Sequence, residues 1–217
     1  MLKHKEILVF DFETTGLSPI NDEIIEIGAV KYELVNDSYV QTDELQLILK
    51  TDVLISPKIT QITGITKEMQ DIEGVSQEEG FQRLSALINS DTLLIAYNIQ
   101  FDLGFLLNFY HKYYSRSYQI ENDVLDVMAV YKDRHRFPHR LESAIATYQI
   151  SIPNSHRALD DTKATFAVLK AMANEKDVII KFVNVIGFNK KYGVSGPRLP
   201  HVSYVAQYGG FGEIEKR

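Results

Sequence analysis

The chain has 217 residues, 45% of them hydrophobic and 24% charged, a composition of one globular domain with a proper core. It holds no apolar run near the ~18 to 20 residues of a membrane span, and no cysteine, which excludes disulfides and thiolate metal sites. The net charge of −6 is unevenly spread: residues 1–110 carry net −11 and residues 111–217 net +5, with the densest basic parts at YKDRHRFPHR (131–140) and from Lys181 to Arg198. A basic rim beside an acidic centre is one reading of that asymmetry, and ordinary solvated faces are the other. The start, MLKHKEILVF, lacks a signal-peptide cleavage pattern, so a cytoplasmic location with no membrane association is expected.

In chain order, residues 6–13 read as a first strand. EIIEIGAVKYEL (23–34) reads as a second strand, after an Asn21-Asp22 turn, and DELQLILK (43–50) as a third. Such close spacing predicts an antiparallel meander. The period then changes. GVSQEEGFQRLSALINS (74–90) is helical, with Ser76 as N-cap and Glu79 three residues later. LLIAY (93–97) is a short buried strand and FDLGFLLNFYHKYY (101–114) a helix. A strand is expected at 118–122, and helices at 123–133, 140–148 and 157–174. Together these elements predict an α/β layered domain with a mixed sheet. After about Asp177 the chain turns rich in Gly, Pro and aromatics, so residues 1–177 are expected to form the main domain and residues 178–217 an appendage of unknown role.

The first strand poses a physical problem. In ILVFDFETTGL (7–17), alternation places Ile7, Val9, Asp11 and Glu13 on one face and Leu8, Phe10 and Phe12 on the other. Apolar residues on both faces indicate a central, doubly covered strand. Its two acids then sit at the carboxyl end, where open α/β sheets place their sites. Held together and buried, they repel. A shared proton, a basic partner or a divalent metal must compensate. Further acids occupy similar positions. Asp102 falls in the first turn of a predicted helix, and His156, Asp160 and Asp161 open another. Taken singly, Asp102 and Asp161 need only complement helix dipoles, and His156 need be no more than a surface histidine.

In order along the chain, DFETTGL (11–17), NIQFD (98–102) and HRALDD (156–161) resemble the three motifs of the DEDDh, or DnaQ-like, 3'-to-5' exonucleases, including the proofreading exonucleases of epsilon and PolC type. EIIEIGAV (23–30), ITGIT (62–66) and RLESAIATYQI (140–150) are similar as well, so the resemblance spans about residues 5–174. It implies an RNase H-like fold: a mixed five-stranded sheet with helices on both faces. It also implies hydrolysis of terminal phosphodiesters, releasing nucleoside monophosphates from the 3' end of DNA, single-stranded or frayed. Two Mg²⁺ or Mn²⁺ ions, ~3.5 to 4 Å apart, and oxygen ligands suited to such hard cations belong to that chemistry.

By the family pattern Asp11 bridges both ions, Glu13 and Asp161 complete the site of the water-activating ion, and Asp102 holds the leaving-group side. His156 is the general base, since an imidazole ordinarily titrates at about 6.5 and suits proton abstraction near neutral pH. The family spacing selects Asp161 over Asp160. Thr14 and Thr15 are expected near the terminal sugar, Leu17 and Phe101 against the last base, and Asn98 in support of the second motif. For Leu17 and Phe101, plain core packing is the competing explanation. One position departs from the pattern: many members carry His before the motif-two Asn, where this chain has Tyr97, a tuning difference in the pocket. Stacking and phosphate contacts of this kind tolerate sequence, so little base preference is expected. DNA is the favoured substrate. The alternatives are a 3'-to-5' exoribonuclease or a catalytically idle nucleic-acid-binding or assembly module. A polymerase or another replication or repair protein is the expected class of partner.

Overall fold

A computed structural model describes residues 2–152, 156–210 and 212–217. Strand β1 (Glu6–Thr14) pairs antiparallel with β2 (Ile24–Val35), which pairs antiparallel with β3 (Ser38–Ile48). On the other side of β1 lie β4 (Leu93–Ala96) and β5 (Val124–Asp126), both parallel to it, giving the order β3-β2-β1-β4-β5. The sheet is mixed and five-stranded, and β1 is at its centre.

The two faces of β1 feed two cores. Ile7 and Val9 pack with residues of α5 (Val127–Arg134), α6 (Leu141–Thr147) and α7 (Ala158–Glu175). Leu8, Phe10 and Phe12 pack with α3 (Gln77–Ser85) and α4 (Ile99–Tyr113) on the opposite face. Two short helices, α1 (Pro57–Thr63) and α2 (Lys67–Glu73), adjoin a satellite cluster around Ile25, Ile48 and Ile65. Ser76 caps α3 by accepting from the Glu79 amide, but the Glu79 carboxylate pairs with Arg83 instead of reaching back.

Several predicted boundaries move. The strand expected at 118–122 is absent, and the helix expected at 123–133 divides into β5 and α5. Val124, Leu125 and Asp126 are fully buried beside β4, and Asp126 then caps α5 by accepting from the Met128 amide at 3.0 Å. Strand β3 starts five residues earlier than expected, directly after a tight Asn36-Asp37 turn in which both residues have positive φ. Helices α1 and α2 were not predicted.

Beyond α7 the chain forms a short 3₁₀ turn (Ile179–Phe182) and two parallel strands, β6 (Val185–Phe188) and β7 (Ser203–Ala206). This segment shares the cores of the sheet: Phe182, Val205 and Ile214 enter one cluster, and Ile186, Leu199 and Val202 the other. Arg134, part of the basic stretch read as a rim, is nearly buried. It bonds Glu215, Glu175 and the carbonyls of Met172 and Lys176, tying the tail to the end of α7. No helix among the described residues is long and apolar enough to cross a membrane.

Candidate active site

Strand β4 accompanies β1 only as far as Val9. Past that point β1 has an open edge, and the crevice between the carboxyl ends of β1 and β4 lies where the chain's connections diverge to opposite sides of the sheet. Asp102, in the first turn of α4 and 2% exposed, closes part of that edge: its Oδ1 accepts from the Phe12 amide at 3.2 Å. The fourth acid arrives on α7. Asp11 and Glu13 lie opposite Gly28 and Glu26 of β2, and all four share one face of the sheet.

Gly28 is what lets α7 approach. A Cβ there would lie 2.1 Å from the carbonyl carbon of Ala158 and 2.3 Å from the Leu159 amide nitrogen. The first turn of α7 thus rests on the bare backbone of β2. Thr162 Oγ1 donates to the Gly28 carbonyl at 3.1 Å. Glu26 anchors the same turn: fully buried, it accepts from Arg157 Nε and a terminal guanidinium nitrogen at 3.0 and 2.8 Å and from the Ala158 amide at 3.1 Å. With α7 seated in this way, Glu13, His156 and Asp161 offer ligand atoms within 4.8 Å of one another. His156 is exposed, with φ of +51°.

The site is electrostatically loaded. Burial, then the charges of Asp161 and Glu26, push the Asp11 carboxyl up to about 8. Burial, then Asp11, Asp161 and Glu26, push Glu13 up to about 9, with Arg157 opposing. Burial and Asp11 likewise raise Asp102, against the opposing bond from the Phe12 amide. Such a set of oxygen donors with unmet repulsion and one adjacent imidazole suits hard divalent cations.

The other expected residues divide. Leu17 is 84% exposed at the rim. Phe101 is half-buried, its ring 5.1 Å from that of Phe105. Both Thr hydroxyls serve the loop after β1: Thr14 donates to the Gly16 carbonyl and Thr15 to Asp22. Asn98 precedes α4 with φ of +66°, and its amide donates to Asp126 Oδ1 at 3.0 Å. Burial pushes the Asp126 carboxyl up to about 6, against four opposing backbone amides. Tyr97 turns its hydroxyl to the His139 carbonyl, 3.0 Å away, and packs into the core beside α5 and α6. Sequence reasoning missed Glu26, Gly28 and Arg157 as site-building residues. The first two lie in EIIEIGAV, and a glycine inside a buried strand is the available signal of a close backbone approach.

A central strand with acids at its carboxyl end, completed from the helices on both faces of a mixed sheet, defines an RNase H-like fold. A profile of the family described as "Exonuclease" matches residues 8–169, and the chain belongs to that family, in its DnaQ-like branch. It is 34% identical over 186 residues to the DNA polymerase III PolC-type of Caldanaerobacter subterraneus subsp. tengcongensis, an alignment covering 83% of this chain and 12% of that protein. It is 30% identical over 202 residues to that of Latilactobacillus sakei, covering 89% and 13%. The chain therefore spans about an eighth of the length of these relatives. Among solved structures, the zinc-bound complex of E. coli exonuclease I with single-stranded DNA superposes with a TM-score of 0.70 at 24% identity, covering 83% of this chain and 43% of that one. A complex of the same enzyme with a dT13 oligonucleotide gives 0.70 at 24%, covering 82% and 43%.

Proposed function

We propose that this chain hydrolyses the terminal phosphodiester at the 3' end of DNA, single-stranded or frayed, releasing nucleoside monophosphates with the help of divalent metal. The carrying observation is the convergence of Glu13, His156 and Asp161 within 4.8 Å, beside Asp11 and Asp102, whose carboxyls are raised first by burial and then by neighbouring acids. The polymerase relatives and the DNA-bound exonuclease structures support DNA over RNA.

Asp11, Glu13, Asp102 and Asp161 would hold two Mg²⁺ or Mn²⁺ ions, which supply charge neutralisation at the phosphate and a readily deprotonated water when bound. The protein's own contribution is placement. Asp102 is locked to β1 through the Phe12 amide, and Asp161 is fixed by the seat of α7 on Gly28 and Glu26. His156, exposed at the edge of the cluster, takes the proton of the attacking water. Leu17 stands out at the rim, where it can wedge against the last base, with Phe101 beneath.

Incubating a 5'-labelled single-stranded DNA oligomer with the protein in Mg²⁺ tests this, with the RNA oligomer in parallel. A ladder shortening from the 3' end, stopped by chelator and absent with Asp11→Ala, is expected. Wild-type turnover by Asp11→Ala refutes the metal assignment, and shortening of the RNA alone refutes the choice of DNA.

A further inference from the structure

The outer face of α4 carries a groove that starts at Phe101, next to Asp102 in the chain. Next to Phe101, Gly104 forms its floor. A Cβ on Gly104 would lie 3.2 Å from Pro19 Cγ and 3.9 Å from Pro197 Cδ, so the loop after β1 and the C-terminal segment face each other across this one helical position. A glycine in a helix interior costs about 1 kcal/mol relative to alanine; here it keeps the floor clear. The cavity over it, about 410 Å³, has the exposed Leu17 and Ile20 on one wall and Ser195, Gly196 and Pro197 on the other.

The tail wall is fastened. Gln100, 4% exposed, donates from its side-chain amide to the Gly187 carbonyl at 3.3 Å and accepts from the Ser195 amide at 3.2 Å. A Cβ on Gly196 would sit 2.3 Å from the Gln100 carbonyl oxygen, so the tail backbone lies directly on the first turn of α4. Further along, two adjoining cavities share His111 with the first, and their walls add Lys112, Arg116 and Arg198.

The charges there are unequal in availability. Glu23 is occupied by Lys112 at 3.0 Å and by the Thr51 hydroxyl at 2.6 Å. Asp22 accepts from the Thr15 hydroxyl and the Ser18 amide. Arg116 is exposed and forms no ion pair among the described residues. Arg198 is exposed and lies over the Tyr204 ring, 5.0 Å from its centroid. Two guanidinium groups without an ion-pair partner among the described residues therefore stand at the far end of a groove whose near end is apolar and lined by Phe101, the residue before Asp102. From Phe101 to Tyr113, the end of α4, the helical rise is about 18 Å, and Arg116 follows three residues later. Apolar surface followed by spaced cations is what a single nucleic-acid strand requires, bases on one side and phosphates on the other.

We infer that the groove along α4, walled by the loop after β1 and by the tail segment Ser195–Pro200, binds the single-stranded nucleic acid upstream of the 3'-terminal nucleotide, with Arg116 and Arg198 holding its phosphates. This rests on the exonuclease reading and gives the segment after residue 177 a substrate-binding role.

The test compares dT20 with the p-nitrophenyl ester of thymidine 5'-monophosphate, which fills only the terminal-nucleotide site. Arg116→Ala with Arg198→Ala is expected to raise KM for dT20 about tenfold and to leave kcat and ester hydrolysis unchanged. The slope of log affinity against log salt should become shallower by about 1.4, as for two lost single-strand phosphate contacts. Restoring charge with the two lysine variants should recover most of the affinity. An unchanged KM for dT20, or an equal loss on the ester, overturns the groove. If the wild type turns over neither substrate, the exonuclease reading fails on its own. Fluorescence anisotropy with labelled dT20 then decides the groove: weaker binding by the double variant supports it, and equal binding, as for a surface that docks a protein instead, overturns it.

Discussion

Replacing Gly28 with alanine should disable the site without touching any carboxylate. The methyl group would be 2.1 Å from the Ala158 carbonyl carbon and 2.3 Å from both the Ala158 oxygen and the Leu159 nitrogen, where ordinary contact begins at 3.4 Å. All three atoms belong to backbone, so no rotamer change relieves the clash. Helix α7 must move off β2 by about 1 Å, and Asp161 and His156 move with it, while Asp11 and Glu13 stay on β1. Overpacking of this kind costs about 1 to 3 kcal/mol, and a 1 Å misplacement of reacting groups costs about 10² in rate. The assay is single-turnover hydrolysis of a 5'-labelled oligomer at saturating Mn²⁺, with thermal unfolding alongside. A folded Gly28→Ala protein with a rate within threefold of wild type would refute the claim that this glycine seats α7 against the site.

Other outcomes follow from the same geometry. Free carboxyls titrate near 4, whereas those of Asp11 and Glu13 are raised to about 8 and about 9 in the fold. Between those limits the unfolded chain has lost protons that the native state retains, so the stability of the metal-free protein falls as pH rises from about 4 to about 9. Its Tm should be lower at pH 8 than at pH 5.5, and Mn²⁺ or Asp11→Asn should narrow the gap; a flat or rising profile contradicts the repulsion. His156→Ala should slow hydrolysis by about 10² to 10⁴ while calorimetric Mn²⁺ affinity stays within a few-fold; loss of metal binding would make His156 a ligand instead of a base. Glu26→Gln should destabilise the protein by about 1 to 3 kcal/mol in urea unfolding, the range for losing charge-assisted bonds to a partly exposed partner. It should also slow turnover, and a change below about 0.5 kcal/mol would show that Arg157 does not depend on that anchor.

The parts of the fold that announced themselves did so through strong local patterns. Alternation along residues 7–13 assigns each apolar side chain to the core in which it is found, and the Ser76 cap fixes the start of α3. Misplaced elements had weak or mixed patterns. Strand β5 is only three residues long and runs without a break into α5, so no period of two can develop before the helical one begins. The first half of β3 is exposed at the sheet edge, so it lacks the apolar alternation that marks a buried strand. Helices α1 and α2 have seven residues each, too few for an amphipathic stripe, although Ser56-Pro57 and Gly64 carry the start and stop signals. In the candidate site, the acids and His156 are visible because the proposed chemistry needs those residue types. Gly28 and Glu26 work by position, one by having no side chain and the other by holding a helix end. Their effect depends on a contact between residues about 130 positions apart.

That division has a consequence for how the site is stabilised. Like charges are brought together on three separate elements, β1, α4 and α7, and α4 and α7 are each held in place by bonds to backbone groups, with Arg157 added at α7. The Phe12 amide restrains Asp102 from β1. Glu26 and the Gly28 backbone restrain α7 from β2. The large cores on both faces of β1 supply the stability that the carboxylates cost. On the proposed reading, divalent cations need only neutralise a site whose shape is already set, and removing a carboxylate should relax the protein while removing an anchor should weaken it. The two classes of substitution are therefore expected to shift Tm in opposite directions in the absence of metal, even though both lower turnover.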